Sequence, residues 1–308
     1  MTMQTTVQAT VQATARAKGP RVWLDMDQQA LDDAYDQAVY APNSAQLAER
    51  RTVNSAAARA RVAPRRIAYG PTPVEMLDLY VTAAPNAPVM VLIHGGAWRA
   101  GSAADNAESA ELFVHAGAHL AVLDFINVIE AGGSLFPMIE QVRRAVAWVH
   151  QNAASFAGDP NRVYVSGRSS GAHLGGCVLI TDWAKDFGLP ADLVKGALLA
   201  SGMYDLKPVR LSKRGAYVKF TDAMEEQLSA QRHLDRINCP VVLAHGTYET
   251  PEFQRQTRDF AAALKAAGKP VTLIVAAGYN HFELPETMAN PYGQLGRAAL
   301  ALMGLGPA

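Results

Sequence analysis

The residues Gly167-Arg168-Ser169-Ser170-Gly171 place a serine with a glycine two positions to either side. They closely follow an apolar run, Arg162 to Val165, and lead into a helical stretch that begins Ala172-His173-Leu174. A strand-to-helix turn this sharp holds its central residue in a strained backbone conformation. The flanking glycines let strand and helix approach without a Cβ clash. Ser169 would then project its hydroxyl above the sheet as a nucleophile toward an acyl carbonyl.

Such a carbonyl becomes negatively charged at oxygen in the transition state and needs fixed hydrogen-bond donors. The stretch His94-Gly95-Gly96-Ala97-Trp98 directly follows the apolar run Val89 to Ile93 and is glycine-rich. Within this loop, which opens at Gly95, the N–H groups of Gly96 and Ala97 are the candidates, together with that of Ser170. Losing one such donor typically costs about 100- to 1,000-fold in rate. The alternatives are a flexible turn or a phosphate loop, but no Gly-Lys-Ser/Thr follows and the dinucleotide fingerprint is absent.

A serine hydroxyl is a weak nucleophile at neutral pH and needs a base, usually an imidazole held in one tautomer by a carboxylate. Of the eight histidines, His281 is the candidate base. It lies in Gly278-Tyr279-Asn280-His281-Phe282, after the last apolar run and before the C-terminal helix, as the chain order Ser, acid, His requires. His94, His173 and His245 fall where structural roles are expected. The acid should follow the run Val241 to Ala244, which makes Glu249 the candidate, with Asp205, one strand earlier, as its competitor. Glu252 fits better in the first turn of the next helix, where a carboxylate meets the positive dipole end.

The elements that must position these groups are legible as alternation. Short apolar runs at Val89–Ile93, Leu120–Phe125, Val163–Val165, Ala197–Ala200, Val241–Ala244 and Val271–Val275 are separated mostly by helical stretches. Among the latter are Ile139–Ala154 and Pro251–Ala267, the second starting with proline in its first turn. This pattern predicts an α/β fold, a mostly parallel central sheet with helices on both faces. Ahead of it, Arg66–Tyr69 and Val74–Val81, split by Gly70-Pro71-Thr72-Pro73, predict an antiparallel hairpin. Periodicity predicts helices over Met26–Tyr40 and about Ala45–Arg61. Residues 1–20 are expected to be a disordered tail, and 21–308 a single domain in which 26–61 is a helical N-terminal segment. The stretch 206–238, longer than a simple crossover, is a candidate partial lid.

Bulk composition narrows the partners. The chain has 308 residues, 49% of them hydrophobic, and 28 basic residues balance 28 acidic ones. No net field favours nucleic acid or an anionic membrane. No stretch of 18 apolar residues could span a bilayer. The two cysteines, Cys177 and Cys239, lie in apolar stretches, and the N-terminus lacks a signal-like apolar run, so a cytoplasmic protein is expected.

Together these residues resemble the kynurenine formamidase and esterase/lipase branch of the α/β-hydrolases, from about Met26 to Leu305. Supporting pieces are the HGG-aromatic loop, Gln141-Val142-Arg143-Arg144-Ala145-Val146-Ala147-Trp148, Gly158-Asp159-Pro160-Asn161-Arg162 and Asn280-His281-Phe282. The resemblance implies the α/β-hydrolase fold and a serine hydrolase working without metal or organic cofactor. Its partners would be a small-molecule ester or amide, with no nucleic acid and no membrane; dimerisation is common in the branch, so a homodimer is open. The elbow departs from that branch at Arg168, commonly His, and Ser170, commonly Ala, and the acid is Glu in place of Asp. Arg168 either pairs with a buried acid beneath the elbow or biases the pocket toward an anionic group. Trp98, Trp183, Tyr204 and Phe282 are candidates, with Arg168, for the substrate pocket, against the default reading of aromatics as core. Three functions follow: carboxylic ester hydrolysis, N-formyl aromatic amide hydrolysis, and non-catalytic binding on the same fold.

Overall fold

The structure is a computed structural model that describes residues 18–306. The expected tail therefore lies outside the described residues up to residue 17. Its end is anchored, because the Gly19 N–H donates to the Asp27 carboxylate at 2.7 Å.

A short antiparallel pair, β1 (Arg21–Trp23) and β2 (Met26–Asp27), precedes the main sheet. The latter comprises β3 (Arg65–Ala68), β4 (Met76–Tyr80), β5 (Ala87–Ile93), β6 (His119–Leu123), β7 (Gly158–Arg168), β8 (Val194–Ala200), β9 (Val241–Gly246) and β10 (Val271–Ala276). Their order across the sheet is β10-β9-β8-β7-β5-β6-β4-β3. The pairs β3/β4 and β4/β6 are antiparallel and all others parallel. The expected hairpin is thus β3–β4. Its turn is closed by Glu75, which accepts from the Thr72 N–H and hydroxyl and pairs with Arg144 of the helix Phe136–Asn152.

Strands β5, β6, β8 and β9 are buried almost throughout, as a sheet covered on both faces demands. Alternation divides the core into two layers. Val89, Val91 and Ile93 of β5 face one, with the helices Phe136–Asn152, Ser170–Leu179 and Pro251–Ala266; Met90 faces the other, with Leu120 and the helix Gln294–Leu302. Parallel strands so arranged bring their C-terminal ends, and the loops that follow them, to one edge of the sheet.

The N-terminal segment differs from the expected continuous helix over Met26–Tyr40. Met26 and Asp27 are spent on β2, after which come two short helices, Gln28–Ala34 and Gln37–Tyr40. Two aspartates break it: Asp27 accepts from the Ala30 N–H and Asp36 from the Ala38 N–H, so each carboxylate starts a new helix. The next helix, Ser44–Arg61, lies where periodicity puts it. The stretch 206–238 folds into helices Leu206–Leu211 and Asp222–Gln227 with three 3₁₀ turns. No helix among the described residues is long and apolar enough to cross a membrane.

Candidate active site

Ser169 sits between β7 and the helix Ser170–Leu179 with φ 55° and ψ −127°, a conformation that non-glycine residues adopt at a cost of order 1–3 kcal/mol. The surrounding contacts hold it there. A Cβ on Gly167 would lie 2.4 Å from the Gly171 carbonyl oxygen, and one on Gly171 would lie 2.1 Å from that of Ile93. The Ser169 N–H donates to the Ala200 carbonyl at 2.9 Å, tying the turn to β8.

His281 Nε2 lies 2.9 Å from Ser169 Oγ, and His281 Nδ1 lies 2.7 Å from Glu249 Oε2. The other carboxylate oxygen accepts from Ser201 Oγ at 2.6 Å and from the Gly246 N–H at 2.7 Å. All three side chains are buried, and the Phe253 and Phe282 rings pack edge-on against the imidazole. A carboxylate in this place orients the imidazole with its proton on Nδ1 and leaves Nε2 to accept. Asn280 fixes the loop, its Oδ1 accepting from the N–H groups of Phe282 and Glu283 while its Nδ2 donates to Asn43.

Asp205 is excluded from this arrangement. It caps the helix Leu206–Leu211 through the Lys207 N–H and pairs with Arg232. Glu252 does lie in the first turn of Pro251–Ala266, buried and held by Tyr35 and Arg255. Ser201, which the sequence reading does not single out, completes the Glu249 cradle from the end of β8 at φ 56°.

The loop after β5 runs beside Ser169. A Cβ on Gly95 would lie 2.9 Å from the Arg168 carbonyl oxygen, so glycine there permits the close approach. Gly96 has φ 126°, and a Cβ on it would lie 1.9 Å from the Ala100 carbonyl oxygen. Ala97 and Trp98 are left-handed, at φ 55° and 61°. The Trp98 N–H donates to Ser170 Oγ at 3.2 Å, whereas those of Gly96 and Ala97 donate to no acceptor among the described residues. Ser170 opens its helix, so its N–H has no intrahelical partner either. Three backbone N–H groups without an acceptor among the described residues therefore lie in the two segments that meet at Ser169.

The remaining histidines near the site are structural. His173 accepts from Trp98 Nε1 at Nδ1 (3.2 Å) and donates from Nε2 to the Leu228 carbonyl (3.0 Å), and burial pushes it down to about 4. It thus links the loop, the elbow helix and the 206–238 segment as a neutral ring. His94 stacks on Phe125 at 4.4 Å, and burial lowers its pKa.

A cleft of about 350 Å³ opens onto Ser169 and His281. The β5 loop, the N-terminal segment through Tyr35–Ala38 and Arg51, and the 206–238 segment through Lys213, Arg214 and Tyr217 line it. Of the expected pocket residues, Arg168 and Phe282 line the cleft. Trp98, Trp183 and Tyr204 do not. Trp98 is buried behind the loop, Trp183 packs on Phe187 beside a separate cavity, and Tyr204 is stacked on Phe260 in the core. Their large apolar area is better buried in the core than left facing water. Among the described residues Arg168 forms no ion pair with an acid beneath the elbow; its Nη2 donates to Asn106 Oδ1 at 2.6 Å. Among the described residues no cluster of His, Cys, Asp and Glu is arranged to hold a metal ion.

Residues 77–188 match the family model described as BD-FAE. The chain is 32% identical to the kynurenine formamidase of Salmo salar over 77% of this chain and 81% of that protein. It is 28% identical to that of Danio rerio over 92% and 98%. It is 27% identical to the isoprenylcysteine alpha-carbonyl methylesterase ICME of Arabidopsis thaliana over 71% of this chain and 56% of that protein. In fold it is similar to a thermophilic esterase from Thermogutta terrifontis, with TM-score 0.65 and 21% identity over 79% and 93% of the two chains.

Proposed function

The chain belongs to the kynurenine formamidase-like esterase branch of the α/β-hydrolases and is a serine hydrolase, and we propose that it cleaves a small carboxylic ester through an acyl-enzyme on Ser169. The observation that carries this reading is the unbroken hydrogen-bonded line Ser169–His281–Glu249, with spacings of 2.9 and 2.7 Å. His281 Nε2 takes the hydroxyl proton as Oγ attacks the carbonyl carbon. The oxyanion is met by the N–H groups of Gly96, Ala97 and Ser170. As the tetrahedral intermediate collapses, His281 returns the proton to the departing oxygen or nitrogen. Water, activated by the same ring, then attacks the acyl-enzyme and frees Ser169.

N-formyl aromatic amide hydrolysis is the second reading, favoured by the two formamidase relatives that align over most of their length. The same residues would perform it, with protonation of nitrogen as the more demanding step. The test compares kcat/KM on a short-chain aryl ester and on an N-formyl aromatic amide, alongside fluorophosphonate labelling. Labelling that maps to Ser169, with turnover of either substrate, supports the reading and the ratio chooses between ester and formamide. Absence of both refutes it and leaves a binding protein.

The segments 26–61 and 206–238 we propose as rim and partial lid of this site, since both line the cleft. Removing residues 1–40 should change KM; unchanged KM and unchanged oligomeric mass would rule out both the rim and a role in a homodimer. Free, buried Cys177 and Cys239, whose thiols burial pushes up to about 12, support a cytoplasmic setting.

A further inference from the structure

Five cationic side chains, Arg51, Arg99, Arg168, Lys213 and Arg214, line the cleft at Ser169 against one carboxylate, Asp36. In a chain whose formal net charge is zero, this is a concentrated positive field. Lys213 pairs with Asp36, and Arg99 stacks over the Tyr217 ring at 4.3 Å. Arg214 lies over the Trp98 and Phe253 rings and donates to Tyr217 Oη and the Tyr35 carbonyl. Those three cations are occupied in holding the cleft together.

Arg51 and Arg168 are different. Among the described residues Arg168 has one acceptor, the neutral Asn106 Oδ1. The Nε of Arg51 is buried and meets no acceptor among the described residues, where Arg51 forms no ion pair. Glu108, within electrostatic reach of Arg168, accepts from Ser55 at 3.0 Å and pairs with neither arginine among the described residues. Each guanidinium feels the other's charge. Arg168 is accordingly drawn down to about 10, first by burial and then by Arg51. Two partly desolvated like charges raise the energy of the empty site, and an anion between them removes that cost.

We infer that the substrate carries a carboxylate, held between Arg51 and Arg168 while its scissile carbonyl lies at Ser169. This rests on the serine hydrolase reading above and names the substrate class for it. A carboxylate suits the site because its two oxygens match the planar fork of a guanidinium. Arg168 adjoins the nucleophile in the chain, so the substrate is small, with its carboxylate a few bonds from the scissile group. Net negative charge suits the cleft further, because among the described residues that line it Asp36 is the one carboxylate, and Lys213 engages it.

Two matched pairs of substrates test this at either end of the scissile bond. One pair is 4-nitrophenyl valerate and the mono-4-nitrophenyl ester of glutaric acid; the other is phenyl acetate and 3-acetoxybenzoate. Rates are corrected for spontaneous hydrolysis and measured for wild type, Arg51→Gln and Arg168→Gln. Wild type should favour the anionic member of at least one pair by about tenfold or more, and Arg51→Gln should cut that ratio by about tenfold, as for a charged hydrogen bond of ~1.5 kcal/mol. The preference should shrink in 0.5 M salt. Arg51, on the outer helix Ser44–Arg61, decides the matter, and Arg168→Gln is read beside its thermal unfolding because it adjoins the elbow. Equal or faster turnover of the neutral member in both pairs, or a ratio that Arg51→Gln leaves in place, overturns the inference. Fluorophosphonate labelling at Ser169 separates the two failures: with labelling and turnover intact, only the carboxylate is lost, and with both absent the hydrolase reading fails too.

Discussion

Two walls of one cleft are built on opposite terms. On the wall formed by the loops after β7, β8, β9 and β10, the groups proposed to react are held by their neighbours: Glu249 by Ser201, Gly246 and His281, and His281 by Glu249, Phe253 and Asn280's loop. On the wall formed by Arg51 and Arg168, positive charge lines the cleft with a single amide acceptor among the described residues. A catalyst must be organised before the substrate arrives, so its polar groups find partners inside the protein. A recognition surface works the other way: groups the protein leaves without partners are completed by the ligand. The unspent N–H groups of Gly96, Ala97 and Ser170 belong to the second kind, although in the proposed mechanism they serve the transition state.

Breaking the first wall should cost most. Ser169→Ala removes the proposed nucleophile, and kcat should fall on the order of 10⁵- to 10⁶-fold with unchanged thermal unfolding; a residual rate above about 1% of wild type would place the nucleophile elsewhere. Glu249→Gln keeps the shape but puts an amide where the imidazole needs a carboxylate, and about 10⁴-fold in kcat should be lost. Ser201→Ala leaves the pair in place and removes one donor to the carboxylate. A drop of roughly 30-fold in kcat with KM held is expected, from ~2 kcal/mol for a hydrogen bond to a charged group. Equal kcat in wild type and Ser201→Ala would mean that Gly246 alone suffices to hold Glu249.

The two walls also differ in how much of them the sequence reveals. Ser169 and its glycines, the loop from Gly95 to Trp98 and the loop around His281 each announce themselves within five consecutive residues at the end of an apolar run. The strand pattern then brings them together, because a parallel sheet gathers its C-terminal loops at one edge. Ser201 and Arg51 have no such local mark. One is an ordinary serine after β8 and the other one of several arginines on an amphipathic helix, and only tertiary contact gives either a role. Trp183 and Tyr204 show the converse error, since a place beyond the elbow helix or just after a strand does not decide on which side an aromatic ring is buried. In the N-terminal segment, apolar spacing masked the capping side chains of Asp27 and Asp36, which outweigh periodicity over so short a stretch.

The smallest expected effect concerns the brace behind the first wall, where His173 joins Trp98 to Leu228. Accepting at Nδ1 and donating at Nε2 requires a neutral ring, and burial holds its pKa at about 4 in the folded protein, against about 6.5 when unfolded. Because the folded value is the lower one, the unfolded chain binds more protons between these limits. The contribution is fully present above pH 6.5 and is lost as pH falls toward 4. At pH 5.5 the loss should reach roughly 1 kcal/mol. Burial lowers the pKa of His94, His119 and His245 in the same sense, so the contribution of His173 is read from a variant and not from wild type alone. His173→Gln can, because a glutamine amide accepts from Trp98 and donates to Leu228 without titrating. Urea unfolding at pH 7.5 and 5.5 should show wild type losing roughly 1 kcal/mol more than the variant. Equal losses would mean that the ring is not held neutral, and that the loop carrying the unspent donors is braced by something other than this histidine.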